Sequence, residues 1–155
     1  MFLRSLVLWI LFPAWVFAAV PADDAFLDEV QERSFRYFLD EVNPYNGLVR
    51  DSASHREGIA GRAPASIAAT GFALTAYPAG VERGWMDRGK ARELTRRTLE
   101  FFLRQAPHQK GFFYHFLDFE TGKRVKNSEL SPIDTALFLA GAVFAGEYYG
   151  DPEIR

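Results

Sequence analysis

Two carboxylates five residues apart, Glu129 and Asp134, lie in the segment Asn127–Thr135, just where a long apolar stretch begins. Ser131 between them is a good helix N-cap, and Asp134 falls three residues later, where a capping-box acid would lie. That spacing favours a structural role for Asp134. Glu129 precedes the cap and is not needed to form it, so its alternatives are a favourable interaction with the helix N-terminus or catalysis. Hydrolysis of a glycosidic bond requires two carboxylates, and the partner of Glu129 could be Asp51 or a residue beyond Arg155.

Other polar side chains that could join such a site lie upstream. Arg50 and Asp51 lie in a long polar loop, Gly47–Arg62, and a loop of that length without its own pattern is more often functional than idle. Tyr114 and His115 lie in an aromatic run, where either could stack on a sugar or donate a hydrogen bond to it. Packing against the core is an equally good interpretation of that run.

The composition excludes several other kinds of site. The chain of 155 residues has no Cys, which removes disulfides, zinc–thiolate sites and thiol catalysis. Its net charge is −2 without a basic block, which argues against nucleic acid as the main partner. No metal-ligand spacing, phosphate loop or dinucleotide fingerprint occurs, so no metal or cofactor is expected. The length suits one domain.

The first residues are typical of a secretory signal peptide. Arg4 supplies the positive start, Leu6–Phe12 is apolar, and small residues permit a cut after Ala18 or after Ala22. The apolar run is shorter than the ~20 residues that span a bilayer. We therefore expect residues 1–18 to be removed, residues 23–155 to form the domain without a stable membrane span, and the protein to be periplasmic or secreted in a bacterium.

Four helices are predicted, and they alternate between two kinds. Helices from about Asp24 to Val42 and from Asp87 to Gln105 each have a charged face, whereas Ala63–Tyr77 and Ser131–Tyr149 are nearly free of charge. Alternating amphipathic and apolar helices indicate an outer and an inner layer, which is an all-α fold of helical hairpins arranged as an α/α toroid. In a complete toroid the two apolar helices are expected to be buried on all sides, and where hairpins are missing they are expected to expose apolar sides.

The connections predict which end of this toroid is functional. The outer-to-inner loops, Gly47–Arg62 and Gly111–Leu130, are long and polar, whereas the inner-to-outer link Pro78–Met86 is short. Gly111–Val125 is predicted to form a β-hairpin with its turn at Glu120–Lys123. Asp151-Pro152-Glu153 repeats a helix-start pattern, from which we expect a truncated sequence.

Six segments, in this order along the chain, resemble the glycoamylase-like family. They are Gln31–Phe38, Gly47–Asp51, Ser66–Phe72, Gly80–Trp85, Gly111–Phe116 and Asn127–Ala136. That family has an α/α toroid of six hairpins, includes bacterial endo-β-1,2-glucanases and is similar to a domain of cyclic β-1,2-glucan synthases. The resemblance implies a glycoside hydrolase acting on a β-glucan, with the acids of the last segment close to the sugar.

The main hypothesis is therefore an exported glycoside hydrolase that binds an oligo- or polysaccharide, with Glu129 as a catalytic carboxylate. Asp134, Asp51 and Arg50 would bind substrate, together with Tyr114 and His115. This chain would contain two of the six hairpins, so we expect it to be inactive and to fold poorly by itself. Two alternatives are a polysaccharide lyase in which Tyr114 or His115 abstracts a proton, and a non-catalytic helical scaffold that binds glycan or protein.

Overall fold

The computed structural model describes residues 24–53 and 63–154, so the predicted signal peptide and part of the loop Gly47–Arg62 lie outside the described residues. Four helices dominate it: α1 (Asp24–Asp40), α2 (Ile67–Glu82), α3 (Arg88–Arg104) and α4 (Pro132–Tyr149). Four strands of two residues each lie between them: β1 (Ala65–Ser66), β2 (His108–Gln109), β3 (Phe112–Phe113) and β4 (Phe116–Leu117). The predicted all-α fold, in which amphipathic and apolar helices alternate along the chain, is confirmed.

Side-chain caps explain where three helices begin. The Asp87 carboxylate accepts a hydrogen bond from the Lys90 N–H at the start of α3. Ser131 does the same for the Asp134 N–H in α4, and Ser66 for the Ala69 N–H in α2. Each cap satisfies one of the four N–H groups that a helix start leaves without a partner. The starts of α3 and α4 are those predicted.

The predicted end of the second helix at Tyr77 is wrong, because α2 continues through Pro78 to Glu82. Proline removes one backbone hydrogen bond and usually interrupts a helix. Here the turn is held by packing: Tyr77, Pro78 and Gly80 are buried, and the Phe35 ring of α1 lies directly over Gly80. The link from α2 to α3 is therefore only residues 83–87.

The two apolar helices pack backbone against backbone. A Cβ on Gly141 of α4 would lie 2.0 Å from the carbonyl oxygen of Gly71, and one on Gly71 of α2 would lie 2.5 Å from the Phe138 Cα. Only glycine permits so close an approach. This contact fixes the relative positions of the two helix N-termini, Ser66 and Ser131.

The apolar helices expose part of their surface, as expected for a chain that holds two of the six hairpins. One face of α4 is exposed, including Ile133 (71%) and Val143 (67%), and Phe72 of α2 is half exposed. Within the described ranges, none of the helices combines the length and the apolar character needed to cross a bilayer.

The predicted β-hairpin over Gly111–Val125 is also wrong as a unit. β3 pairs with β2, whereas β4 pairs antiparallel with β1, about fifty residues earlier in the chain. The turn itself is present: the Asp118 N–H donates to the Lys123 carbonyl, and Leu117 bridges Arg124. The segment 113–117 therefore lies between other elements instead of forming one long strand.

Candidate active site

His115 lies between the two carboxylates singled out from the sequence. Its Nδ1 is 2.8 Å from Oε1 of Glu129 and 3.7 Å from Oδ2 of Asp134. The Asp134 side chain is only 13% exposed and the histidine ring 29%, whereas Glu129 is 64% exposed. The structure therefore groups three of the six predicted site residues, with Asp134 innermost and Glu129 facing solvent.

The backbone explains why these three residues meet. The His115 N–H donates to the Glu129 carbonyl at 2.9 Å, and the Ile67 N–H at the start of α2 donates to the His115 carbonyl at 3.2 Å. Tyr114 and Leu130 form an antiparallel bridge beside them. The group consequently lies where the N-termini of both inner helices come together, which is the end of the fold that the long polar loops predicted.

The loop that carries Glu129 is held on its other side by a buried serine. Ser128 is 3% exposed, and its hydroxyl accepts a hydrogen bond from the Phe116 N–H at 2.8 Å. The preceding residue, Asn127, has φ 66°, a left-handed conformation that asparagine tolerates better than most residues. These contacts orient Glu129 toward His115.

Asp134 does not complete the capping box that its spacing suggested. Ser131 makes its half of the box, but the Ser131 N–H donates to the Phe113 carbonyl at 3.0 Å instead of to Asp134. The Asp134 carboxylate points toward His115. Only the backbone N–H of Asp134 therefore takes part in the cap that the sequence favoured. The Asp134 side chain is available to the group of residues around His115.

The hydrogen bond from His115 lowers the pKa of Glu129 below its ordinary value, with a smaller contribution from the backbone N–H of Glu129 itself. A carboxylate that accepts hydrogen bonds is stabilised in its ionised form. Such a group suits a base, a nucleophile or a stabiliser of positive charge better than a proton donor. Among the described residues, no group of three His, Asp or Glu side chains could hold a metal ion.

Arg50 and Asp51 lie apart from this group. The Arg50 guanidinium is 3.6 Å from the centre of the Phe119 ring, donates to the Ala63 carbonyl at 2.9 Å, and is 3.5 Å from the Glu41 carboxylate. Asp51 is exposed, and its N–H donates to the Pro64 carbonyl. No hydrogen bond or ion pair between described residues joins either side chain to Glu129, so Arg50 serves here to tie the first polar loop to the turn after β4.

Tyr114 lies on the core side of its segment. Its ring is 8% exposed and lies under the Arg124 guanidinium, 4.3 Å from ring centre, while its hydroxyl accepts from Gln109. Little of its surface is left for a ligand. Ser128 and Phe116 lie within segments singled out from the sequence, but no role was assigned to either of them. The Phe116 ring stacks on His115 with centroids 3.8 Å apart, a contact that spacing does not reveal.

A separate groove of about 970 Å³ runs between α3 and α4. Its walls include the apolar side chains of Leu99, Phe138 and Val143, and none of the three grouped residues lines it. Polar groups that converge are what a sugar site needs, so the candidate site is the His115 cluster.

The chain is similar in sequence to one protein with a stated activity. It is 32% identical over 134 residues to an exo β-1,2-glucooligosaccharide sophorohydrolase of Parabacteroides distasonis, a match that covers 82% of this chain and 18% of that protein. No protein-family model matches the chain.

Two crystal structures share its fold. A candidate glucoamylase from Bacteroides fragilis superposes with a TM-score of 0.72 at 28% identity, over 89% of this chain and 34% of that one. A β-1,2-glucanase from Parabacteroides distasonis superposes with a TM-score of 0.69 at 32% identity, over 84% of this chain and 18% of that one. The chain thus spans between a fifth and a third of the length of these relatives. The fold and the family resemblance drawn from the sequence are confirmed.

Proposed function

We propose that this chain, a member of the glycoamylase-like family, forms one wall of the active site of an exported glycoside hydrolase that acts on a β-glucan. The carrying observation is the pair Glu129–His115, an exposed carboxylate kept ionised at the N-termini of the two inner helices. The names of two relatives support a β-1,2-linked substrate. Export is supported by the signal-peptide pattern in residues 1–22.

In this proposal Glu129 acts as the base that activates water or as the nucleophile that attacks the sugar. The lowered pKa makes it a poor proton donor, so another carboxyl group must protonate the leaving oxygen. Asp134 and Asp51 would contact the glucan, whereas Arg50 and Tyr114 support the loops around the site and His115 acts on Glu129. This 155-residue chain alone is expected to be inactive.

The geometry limits which carboxylate can be the partner. Both Glu129 and Asp134 lie close to one nitrogen of His115, so their nearest oxygens are no more than about 6.5 Å apart, the sum of the two distances. Inverting hydrolysis needs carboxyl groups about 6.5–9.5 Å apart to admit water, and retaining hydrolysis about 5–5.5 Å. So short a separation favours a retaining outcome if Asp134 is the partner, and an inverting outcome favours a more distant carboxyl group as the acid.

The test is hydrolysis of β-1,2-glucan by the longest polypeptide that the gene encodes, compared with its Glu129→Gln variant. Loss of a general base typically lowers the rate about 10²–10⁴-fold, and a comparable loss is expected here. Glu29→Gln is the matched control, because Glu29 is also an exposed carboxylate paired with a basic side chain, Arg33, but lies on α1. A Glu129→Gln variant that hydrolyses the glucan as fast as the wild type would exclude the catalytic role.

Parallel incubations with β-1,2-glucan and with uronate polymers distinguish the two other hypotheses. A lyase would release from the uronate polymer an unsaturated sugar that absorbs ultraviolet light. A non-catalytic scaffold would bind glucan without releasing any product. In addition, following the anomeric signal by NMR during hydrolysis would assign the reaction as inverting or retaining.

A further inference from the structure

His115 is the most firmly held side chain of the site. The backbone N–H of His115 donates to the Glu129 carbonyl, and the backbone carbonyl of His115 accepts from the Ile67 N–H. Its ring lies flat against the Phe116 ring, with centroids 3.8 Å apart and planes inclined by 17°. The ring therefore has little freedom to turn, unlike an exposed histidine on a loop.

The orientation of this ring determines its proton arrangement. Nδ1 faces both carboxylates, at 2.8 Å from Glu129 and 3.7 Å from Asp134. An ionised carboxylate can only accept hydrogen bonds, so Nδ1 must carry a hydrogen to bond Glu129. The charged groups that face the ring are thus Glu129 from the loop before α4 and Asp134 from α4 itself.

Glu129 has no other side-chain partner among the described residues, and 64% of its side chain is exposed. An exposed glutamate ordinarily samples several rotamers. The contact with His115 is consequently what selects one of them.

We propose that His115 is a positioning residue, which holds the Glu129 carboxylate in one orientation through its Nδ1–H while the stacked Phe116 ring and the backbone hydrogen bonds of residue 115 keep the imidazole in place. The proposal rests on the proposed function only for its effect on catalysis; the arrangement itself does not depend on any reaction. It differs from a role in sugar binding, because His115 acts through Glu129 and not on substrate. A pre-oriented carboxylate lowers the barrier by avoiding reorganisation when the substrate is bound.

Two substitutions test this role. In His115→Asn the side-chain amide nitrogen can take the place of Nδ1 as a donor, whereas His115→Leu removes the donor and keeps apolar contact with Phe116. The Glu129 carboxyl is followed by ¹³C NMR against pH in the longest polypeptide that the gene encodes, with Glu129→Gln used to assign its resonance. We expect the leucine variant to raise the pKa of Glu129 toward its ordinary value and the asparagine variant to keep it low.

Kinetics on β-1,2-glucan separate positioning from binding. We expect His115→Leu to lower kcat at least tenfold with KM nearly unchanged, and His115→Asn to recover most of that loss. A rise in KM with unchanged kcat in both variants would overturn the proposal and support a direct contact with sugar. An identical Glu129 titration in the wild type and in His115→Leu would overturn it too.

One measurement needs no variant, so a substitution that prevents folding does not block the test. Long-range ¹⁵N–¹H NMR correlations of the wild-type imidazole report which ring nitrogen is protonated. We expect the neutral imidazole to carry its hydrogen on Nδ1. A neutral imidazole with its hydrogen on Nε2 would refute the proposal. If the wild type does not hydrolyse glucan, the proposed function fails, while the two NMR experiments still decide the role of His115.

Discussion

Replacing Gly141 by alanine tests the contact that holds the two inner helices together, and with it the geometry of the site. In isolation the change should help, since alanine is favoured over glycine in a helix by about 1 kcal/mol. In this fold the new Cβ would lie 2.0 Å from the Gly71 carbonyl oxygen. That is about 1.4 Å short of the 3.4 Å at which ordinary contact begins.

The magnitude follows from what can move. The atoms that Gly141 would meet are the carbonyl oxygen, carbonyl carbon and Cα of Gly71, all of them backbone, so no side chain can rotate away. The helices must separate, which also loosens the nearby Phe138 contact. Overpacking of this kind costs about 1–3 kcal/mol, and at a backbone contact we place it at the upper end. After the gain in helix propensity, the expected net loss is about 2 kcal/mol.

Urea unfolding followed by circular dichroism measures this loss, with Ala140→Gly as the control. Ala140 is the neighbouring residue on the exposed face of α4, so its change alters helix propensity without touching α2. Propensity alone predicts that Gly141→Ala stabilises and Ala140→Gly destabilises, each by about 1 kcal/mol. The packing argument predicts that both destabilise and that Gly141→Ala does so more. A higher urea midpoint for Gly141→Ala would refute the close approach of the helices.

Three further outcomes are expected. Ser131→Ala should lower the free energy of unfolding in urea by about 1 kcal/mol through loss of the cap. Asp134→Asn should change it by no more than about 0.5 kcal/mol, because the Ser131 N–H donates to the Phe113 carbonyl and not to Asp134. A larger loss in Asp134→Asn would mean that the Asp134 side chain does form the capping box. Hydrogen bonds from two arginines lower the pKa of Glu93 to about 2, so its contribution to stability is complete above its ordinary pKa of 4.5 and is lost as the pH falls through about 2. The difference in melting temperature between wild type and Glu93→Gln should therefore shrink between pH 6 and pH 2. A difference that stays constant over this range would contradict the argument. Val143→Glu, on the exposed face of α4, should reduce aggregation and the binding of a hydrophobic dye without lowering the urea midpoint. A lower midpoint would mean that this face is covered in the folded protein.

The parts of the fold that follow from local chemistry could be predicted from the sequence. The caps at Asp87 and Ser131 are local signals, and both helices begin there. The low charge of α2 and α4 indicated an inner pair, and the two helices contact each other through Gly71 and Gly141. Pro78 misled the prediction because the local cost of a proline is outweighed by contacts from α1, which the sequence around it does not reveal.

The site was predictable as a set of candidate residues but not as an arrangement. Glu129 and Asp134 were identified by their position at the start of α4, but the Asp134 side chain does not form the cap that was favoured for it, and the contact between Glu129 and His115 was not predicted. His115 lies 14 residues before Glu129. A contact at that separation depends on strand pairing between distant segments, and no local periodicity encodes it.

The segment 113–117 explains why the aromatic run did not form the predicted hairpin and why the carboxylates lie where they do. Its backbone groups bond both inner helices: the Phe113 carbonyl accepts from Ser131 and its N–H donates to the Thr135 hydroxyl, while the His115 carbonyl accepts from Ile67. Those groups are thereby unavailable to a hairpin partner. Because the N-termini of α2 and α4 are joined through this segment, any shift between the two helices must move His115 relative to Glu129. The contact between Gly71 and Gly141 and the hydrogen bond between His115 and Glu129 are therefore mechanically coupled, and loss of the first should be detectable as a change in the titration of Glu129.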